Sequence, residues 1–124
     1  MRGSKGRNYA LMRGMSAPER ALPLEVVIVE DHGRLREGLA ALLAREPGFH
    51  VAGAFASMEE ALAACELRPP TIVLADIGLP GMSGIEGVRR LRARHPDVLA
   101  LILSVHADDE RVFEAVCAGA SGYL

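Results

Sequence analysis

The sequence predicts an α/β domain built on an open parallel sheet. Two short apolar runs, Val26-Val27-Ile28-Val29 and Thr71-Ile72-Val73-Leu74-Ala75, each end in acid. The first runs into Glu30-Asp31 and the second into Asp76. β-branched apolar runs of this length read as strands buried on both faces. They alternate with stretches of helical period, long enough for right-handed parallel crossovers. In such sheets, sites form where strands end and helices begin. Two strand ends carrying three carboxylates therefore suggest one acidic site on one sheet edge. Carboxylates clustered in this way call for a divalent cation, or must share protons to limit repulsion.

The elements follow in order. Leu24–Val29 is the first strand. Arg34–Arg45 carries Leu35, Leu39, Leu42 and Leu43 at helical spacing and stops at Pro47-Gly48. Phe49–Phe55 is a short second strand. Ser57 reads as an N-cap, with Glu60 three residues on completing a capping box. That helix runs to Pro69-Pro70, and Thr71–Ala75 is the third strand. A turn-rich stretch follows, Gly78-Leu79-Pro80-Gly81-Met82-Ser83-Gly84. The next helix opens at Ser83 or Gly84, with Ile85, Val88 and Leu91 inward and Arg89, Arg90, Arg92 and Arg94 largely outward. Val98–Leu103 is the fourth strand, and Asp108–Ala118 a helix closed by Gly119. Ser121–Leu124 begins a fifth strand.

The 124 residues suffice for one domain with a core. Half are hydrophobic and 4% aromatic, so that core is aliphatic. Residues 1–23 hold five bases and one acid, and read as a disordered basic leader; the domain is assigned to 24–124. The remaining 9 bases against 15 acids make the body acidic, which argues against nucleic-acid binding by the body itself. The arginine-rich helix lacks interleaved aromatics and reads as a solvated face. Cys65 and Cys117 lack metal-ligand spacing and are expected as reduced core thiols. The four histidines are scattered, and His32, beside the acids, reads as a solvated loop residue. No apolar run approaches a membrane span and no signal-peptide core is present, so a cytoplasmic location without membrane contact is expected.

Asp76 is the candidate nucleophile, since a carboxylate can attack a phosphoryl group to give an acyl phosphate. Phosphoryl charge must then be neutralised, for which Mg²⁺ is suited, and Glu30, Asp31 and Asp76 offer the oxygen ligands. Ser104 follows the fourth strand, so its hydroxyl is placed to hydrogen-bond a phosphoryl oxygen on Asp76.

These pieces together resemble a response-regulator receiver domain of two-component systems: Val27-Ile-Val-Glu-Asp-His32, Asp76-Ile-Gly-Leu-Pro-Gly-Met-Ser-Gly84, Ser104 and Ala118-Gly-Ala-Ser-Gly-Tyr-Leu124. The details are most similar to the NarL/LuxR-type transcriptional regulators, over residues 24–124. The resemblance implies a flavodoxin-like doubly wound sheet of order 2-1-3-4-5. It implies that Asp76 accepts a phosphoryl group from a sensor histidine kinase. Asp31, Asp76 and the Gly78 carbonyl would bind Mg²⁺ directly, and Glu30 through water. Ser104 would move toward the phosphoryl group and Tyr123 swing inward behind it, changing a partner surface, with a homodimer as one outcome.

The family places a lysine three positions after the residue matched by Tyr123. The sequence ends one residue after Tyr123, so the expectation is a receiver truncated within the fifth strand. The lysine, the last helix and the helix-turn-helix domain through which the subfamily binds DNA would then be missing. The alternatives are a phosphorylation-independent pseudo-receiver, an inactive fragment, or an aspartate-nucleophile phosphatase of the haloacid dehalogenase type. Against the last, Gly78 stands where those enzymes place a second aspartate.

Overall fold

The computed structural model describes residues 22–103, 114 and 117–123. The chain alternates strand and helix: β1 Leu24–Val29, α1 Gly33–Ala44, β2 Phe49–Phe55, α2 Met58–Leu67, β3 Ile72–Asp76, α3 Gly84–Arg94, β4 Leu99–Leu103 and β5 Gly122–Tyr123. All strand pairs are parallel, in the order β2-β1-β3-β4-β5. This is the flavodoxin-like order that the resemblance implied. Glu114, Cys117 and Ala118 are helical, and the rest of the helix expected over Asp108–Ala118 lies outside the described residues. So do Ser104 and residues 1–21 of the leader.

Register explains where the acids meet. Val29 pairs with Ala75 across β1 and β3, so Glu30 and Asp76, each one step further, leave the sheet at the same level. Asp76 pairs in turn with Leu103 of β4. β3 and β4 each start one residue later than the apolar runs suggest. Thr71 stays just outside the ladder, its carbonyl accepting from the Leu99 N–H at 3.0 Å and its hydroxyl accepting from the Glu25 N–H at 3.3 Å.

The main core lies under α2 and α3. Val27, Val29, Val73, Ala75, Ala100 and Ile102 pack there with Met58, Ala61, Cys65, Ile85, Val88 and Leu91. The inward face expected for α3 is the face found buried. α2 and α3 approach so closely that a Cβ at Gly87 would overlap the Met58 side chain. Three arginines of α3 stay at the surface: Arg89 and Arg90 pair with Glu86, and Arg94 with Glu66 at 2.6 Å, whereas Arg92 is half-buried and donates to the Val98 carbonyl. The two Glu86 partners hold that carboxyl below its usual range.

One expectation needs correction. Cys65 is buried, and burial pushes its thiol pKa up, but Cys117 is exposed. Neighbouring helical positions are about 100° apart, and here Ala118 takes the inward one. α1 has helical leucine spacing but no buried residue, and Leu35 and Leu42 remain 45% and 60% exposed. Among the described residues, no helix is long and apolar enough to cross a membrane.

Candidate metal and phosphoacceptor site

The site begins with the ends of β1 and β3. Carboxylate oxygens of Glu30, Asp31 and Asp76 all lie within 4.8 Å of one another. Glu30 is buried at 4% exposure, Asp76 is half-buried and Asp31 is exposed. The three therefore form a wall that is closed behind Glu30 and open at Asp31. The sequence placed these residues on one edge, and the structure brings their side chains together.

Backbone contacts fix the acidic turn. The Glu30 N–H donates to the Phe55 carbonyl at 2.9 Å, which continues the sheet one step past β1. The Glu30 carboxylate accepts from the His32 N–H at 3.0 Å. His32 is exposed, as expected, but it also caps α1: its Nδ1 accepts from the Leu35 N–H at 3.4 Å. Arg36, one turn into α1, reaches back to donate to the carbonyl of Glu30 at 2.8 Å and, more weakly, to that of Asp31 at 3.5 Å.

The second wall is the segment after Asp76. The Asp76 carboxylate accepts from the Gly78 N–H at 3.4 Å, closing a short turn. Ile77 and Leu79 are buried and anchor the segment from below. The Gly84 N–H donates to the Ile77 carbonyl at 3.2 Å, and a Cβ at Gly84 would overlap the Asp76 carbonyl oxygen. Ser83 caps α3, its hydroxyl accepting from the Glu86 N–H at 3.1 Å. Gly81 adopts φ 72°, a left-handed turn that suits glycine.

The charge balance of this pocket favours a cation. Among the described residues, no Lys, Arg or His side chain forms an ion pair with Glu30, Asp31 or Asp76. Burial raises the Glu30 pKa; the His32 N–H opposes this, and the charges of Asp76 and Asp31 add to it. A buried carboxylate that must hold charge beside two others is stabilised by a bound cation. The donor set is all oxygen, which suits Mg²⁺ rather than a soft metal.

Of the other residues singled out from sequence, Gly78 sits beside Asp76 as its turn requires. Tyr123 lies in β5, where Ile102 is its register partner. Ser104 lies outside the described residues. Sequence reasoning missed Arg36 and Glu59. The first had a weak local signal, a base one turn into the helix that follows the acids. The second had none, since its contact is with a segment 23 residues away: Glu59 accepts from the Met82 N–H at 3.0 Å.

An open parallel sheet with an acidic pocket at its C-terminal edge belongs to the class of α/β domains whose sites lie where the strands end. Residues 26–124 match the family described as the response regulator receiver domain, and the chain belongs to that family. It is 41% identical over 101 residues to the transcriptional regulatory protein DegU of Brevibacillus brevis, covering 82% of this chain and 43% of DegU. It is 31% identical to the nitrate/nitrite response regulator NarL of Escherichia coli, covering 82% of this chain and 47% of NarL. The chain thus spans less than half the length of these curated relatives.

Among solved structures, a LuxR-family two-component response regulator from Aurantimonas sp. SI85-9A1 superimposes with a TM-score of 0.78 at 35% identity, covering 82% of this chain and 73% of that one. The signal receiver domain of NarL from Mycobacterium tuberculosis gives 0.80 at 28% identity, covering 84% of each chain. These relatives place the receiver on the NarL/LuxR-type branch.

Proposed function

We propose that this chain is the phosphoacceptor module of a two-component response regulator in transcription regulation, with Asp76 as the residue that carries the phosphoryl group. The observation that supports this most is the convergence of Glu30, Asp31 and Asp76 within 4.8 Å at the edge where β1 and β3 end. Asp76 is half-buried, with one carboxylate oxygen engaged by the Gly78 N–H. The other oxygen is left to attack phosphorus. In that step the Asp76 Oδ–P bond forms, and the bond from phosphorus to the histidine nitrogen of a partner kinase breaks. The bonding pair stays on the histidine, and the product is an aspartyl phosphate.

Mg²⁺ would be held by Asp31, Asp76 and the Gly78 carbonyl, with Glu30 acting through water, and would supply charge neutralisation for the phosphoryl oxygens. Arg36 and His32 hold the acidic turn from its backbone side, and so keep Glu30 and Asp31 aimed at the pocket. Ser104 and Tyr123 are proposed as the switch pair, Ser104 by a hydrogen bond to the phosphoryl group and Tyr123 by inward movement. A sensor histidine kinase is the proposed donor. The proposed outputs are a homodimer and DNA binding by a helix-turn-helix domain of the full-length protein.

The test is thermal unfolding with and without Mg²⁺ and beryllofluoride, an acyl-phosphate mimic, with Asp76→Ala as control. A ligand that binds only the folded state raises the midpoint. An upward shift that vanishes in Asp76→Ala supports the assignment. A cooperative melt with no shift favours the pseudo-receiver reading instead. Steady turnover of a phosphate ester would favour the phosphatase.

A further inference from the structure

Glu59 stands in the first turn of α2, two residues after the Ser57 cap. The capping box uses its neighbour: the Ser57 hydroxyl accepts from the Glu60 N–H at 3.2 Å, and Glu60 accepts from the Ala56 N–H at 3.4 Å. Glu59 is thereby released from its own helix end. Its carboxylate instead crosses to the segment after Asp76 and accepts from the Met82 N–H at 3.0 Å. The turn is shaped to receive it. Gly81 has φ 72°, and a Cβ there would come within 2.8 Å of the Glu59 Oε2.

The other anchors of residues 77–84 belong to the segment itself or to the core below it: buried Ile77 and Leu79, Gly84 against Asp76, and the Ser83 cap. Among the described hydrogen bonds, Glu59 is the tie from α2 to this segment. The tie lies four residues from Gly78, whose carbonyl is the proposed third Mg²⁺ ligand. Mg²⁺ demands near-octahedral geometry at short distances, so small displacements of one ligand weaken binding.

We infer that Glu59 is a positioning residue for the metal site: by holding the Met82 N–H, it sets the segment that presents the Gly78 carbonyl to Mg²⁺. The inference rests on the receiver reading above and adds a residue to it. Glu59 acts through a hydrogen bond, so a neutral acceptor of the same length replaces it. A role through charge alone would not allow that replacement.

The experiment measures Mg²⁺ affinity by calorimetry on the chain, on Glu59→Ala and on Glu59→Gln. Protection of the Met82 amide against hydrogen exchange is followed in parallel. Glu59→Ala is expected to weaken Mg²⁺ by about three- to tenfold, the range of one hydrogen bond, and to unprotect Met82. Glu59→Gln is expected to keep both within about twofold of the parent, a bound well inside that range. Unchanged affinity in Glu59→Ala overturns the inference. So does an equal loss in both variants that shrinks with added salt, which marks simple charge attraction. If the parent chain binds no Mg²⁺, or Asp76→Ala binds it equally well, the receiver reading fails. The Met82 protection then still decides whether Glu59 anchors the segment.

Discussion

The α-carbon of Gly84 stands against the backbone carbonyl of Asp76 with no room for a side-chain carbon between them. The start of α3 is thus pressed onto the end of β3, and the candidate phosphoacceptor is held by its own main chain. Gly84→Ala must push α3 away or shift Asp76. A loss of about 3 kcal/mol or more is expected, at the upper end for overpacking, with loss of the beryllofluoride response. Urea unfolding checks the first and the ligand-induced melt shift the second. An alanine variant of parental stability would contradict the close approach.

Glu30 sets the pH behaviour of the metal-free chain. Its folded pKa is raised, first by burial, so the folded state holds this proton more tightly than the unfolded state does. The stability it contributes is fully present below its ordinary value of 4.5 and is lost as pH rises through the folded value. Glu30→Gln, which keeps an acceptor for the His32 N–H, is therefore expected to stabilise the metal-free chain at pH 7. The gain is read as an upward shift of the melting midpoint, each kcal/mol being worth roughly 4–8 °C in a domain of this size. The same variant should respond less to Mg²⁺. Melts across pH 4.5 to 8 with and without Mg²⁺, starting at the ordinary carboxyl value, test both signs.

Arg36 makes its case through the backbone. Its guanidinium donates to the Glu30 carbonyl at 2.8 Å, on a strand end that is otherwise buried. Arg36→Met keeps the aliphatic stem and removes the donor. A cost of about 1.5–3 kcal/mol is expected for a hydrogen bond from a charged group. Equilibrium unfolding of the variant measures it, and a cost near zero would mean that water replaces the guanidinium.

Truncation inside the sheet and truncation on α1 should have different costs. Ile28 is 0% exposed in β1, which has a neighbour on each side, and Ile28→Ala should cost about 2–5 kcal/mol. Leu42 on α1 is 60% exposed, and Leu42→Ala should cost well under about 1 kcal/mol. Comparable losses at the two positions, read by urea unfolding, would show that α1 is buried in solution.

Local signals made much of this fold legible. β2 was read residue for residue, because Pro47-Gly48 and Ser57 bracket it. The Ser57–Glu60 box and the inward face of α3 were equally plain, since both repeat within one helical turn or two. The ends of β3 and β4 moved by one residue because ladder register, a property of the assembled sheet, sets them. Cys117 was misplaced because an alanine-rich helix offers no contrast between inward and outward positions. At the site, the three carboxylates were visible because each sits at a strand end. Glu59 was invisible because its partner is a backbone N–H far along the chain, and any residue there would supply one.

The central claim is that Asp76 accepts the phosphoryl group. The most direct test incubates the chain with acetyl phosphate and Mg²⁺ and reads the intact mass, with Asp76→Asn in parallel. A single phosphoryl adduct that needs Mg²⁺ and disappears in Asp76→Asn is the expected result. An adduct that survives the substitution, or no adduct on a folded parent chain that binds Mg²⁺, would contradict it.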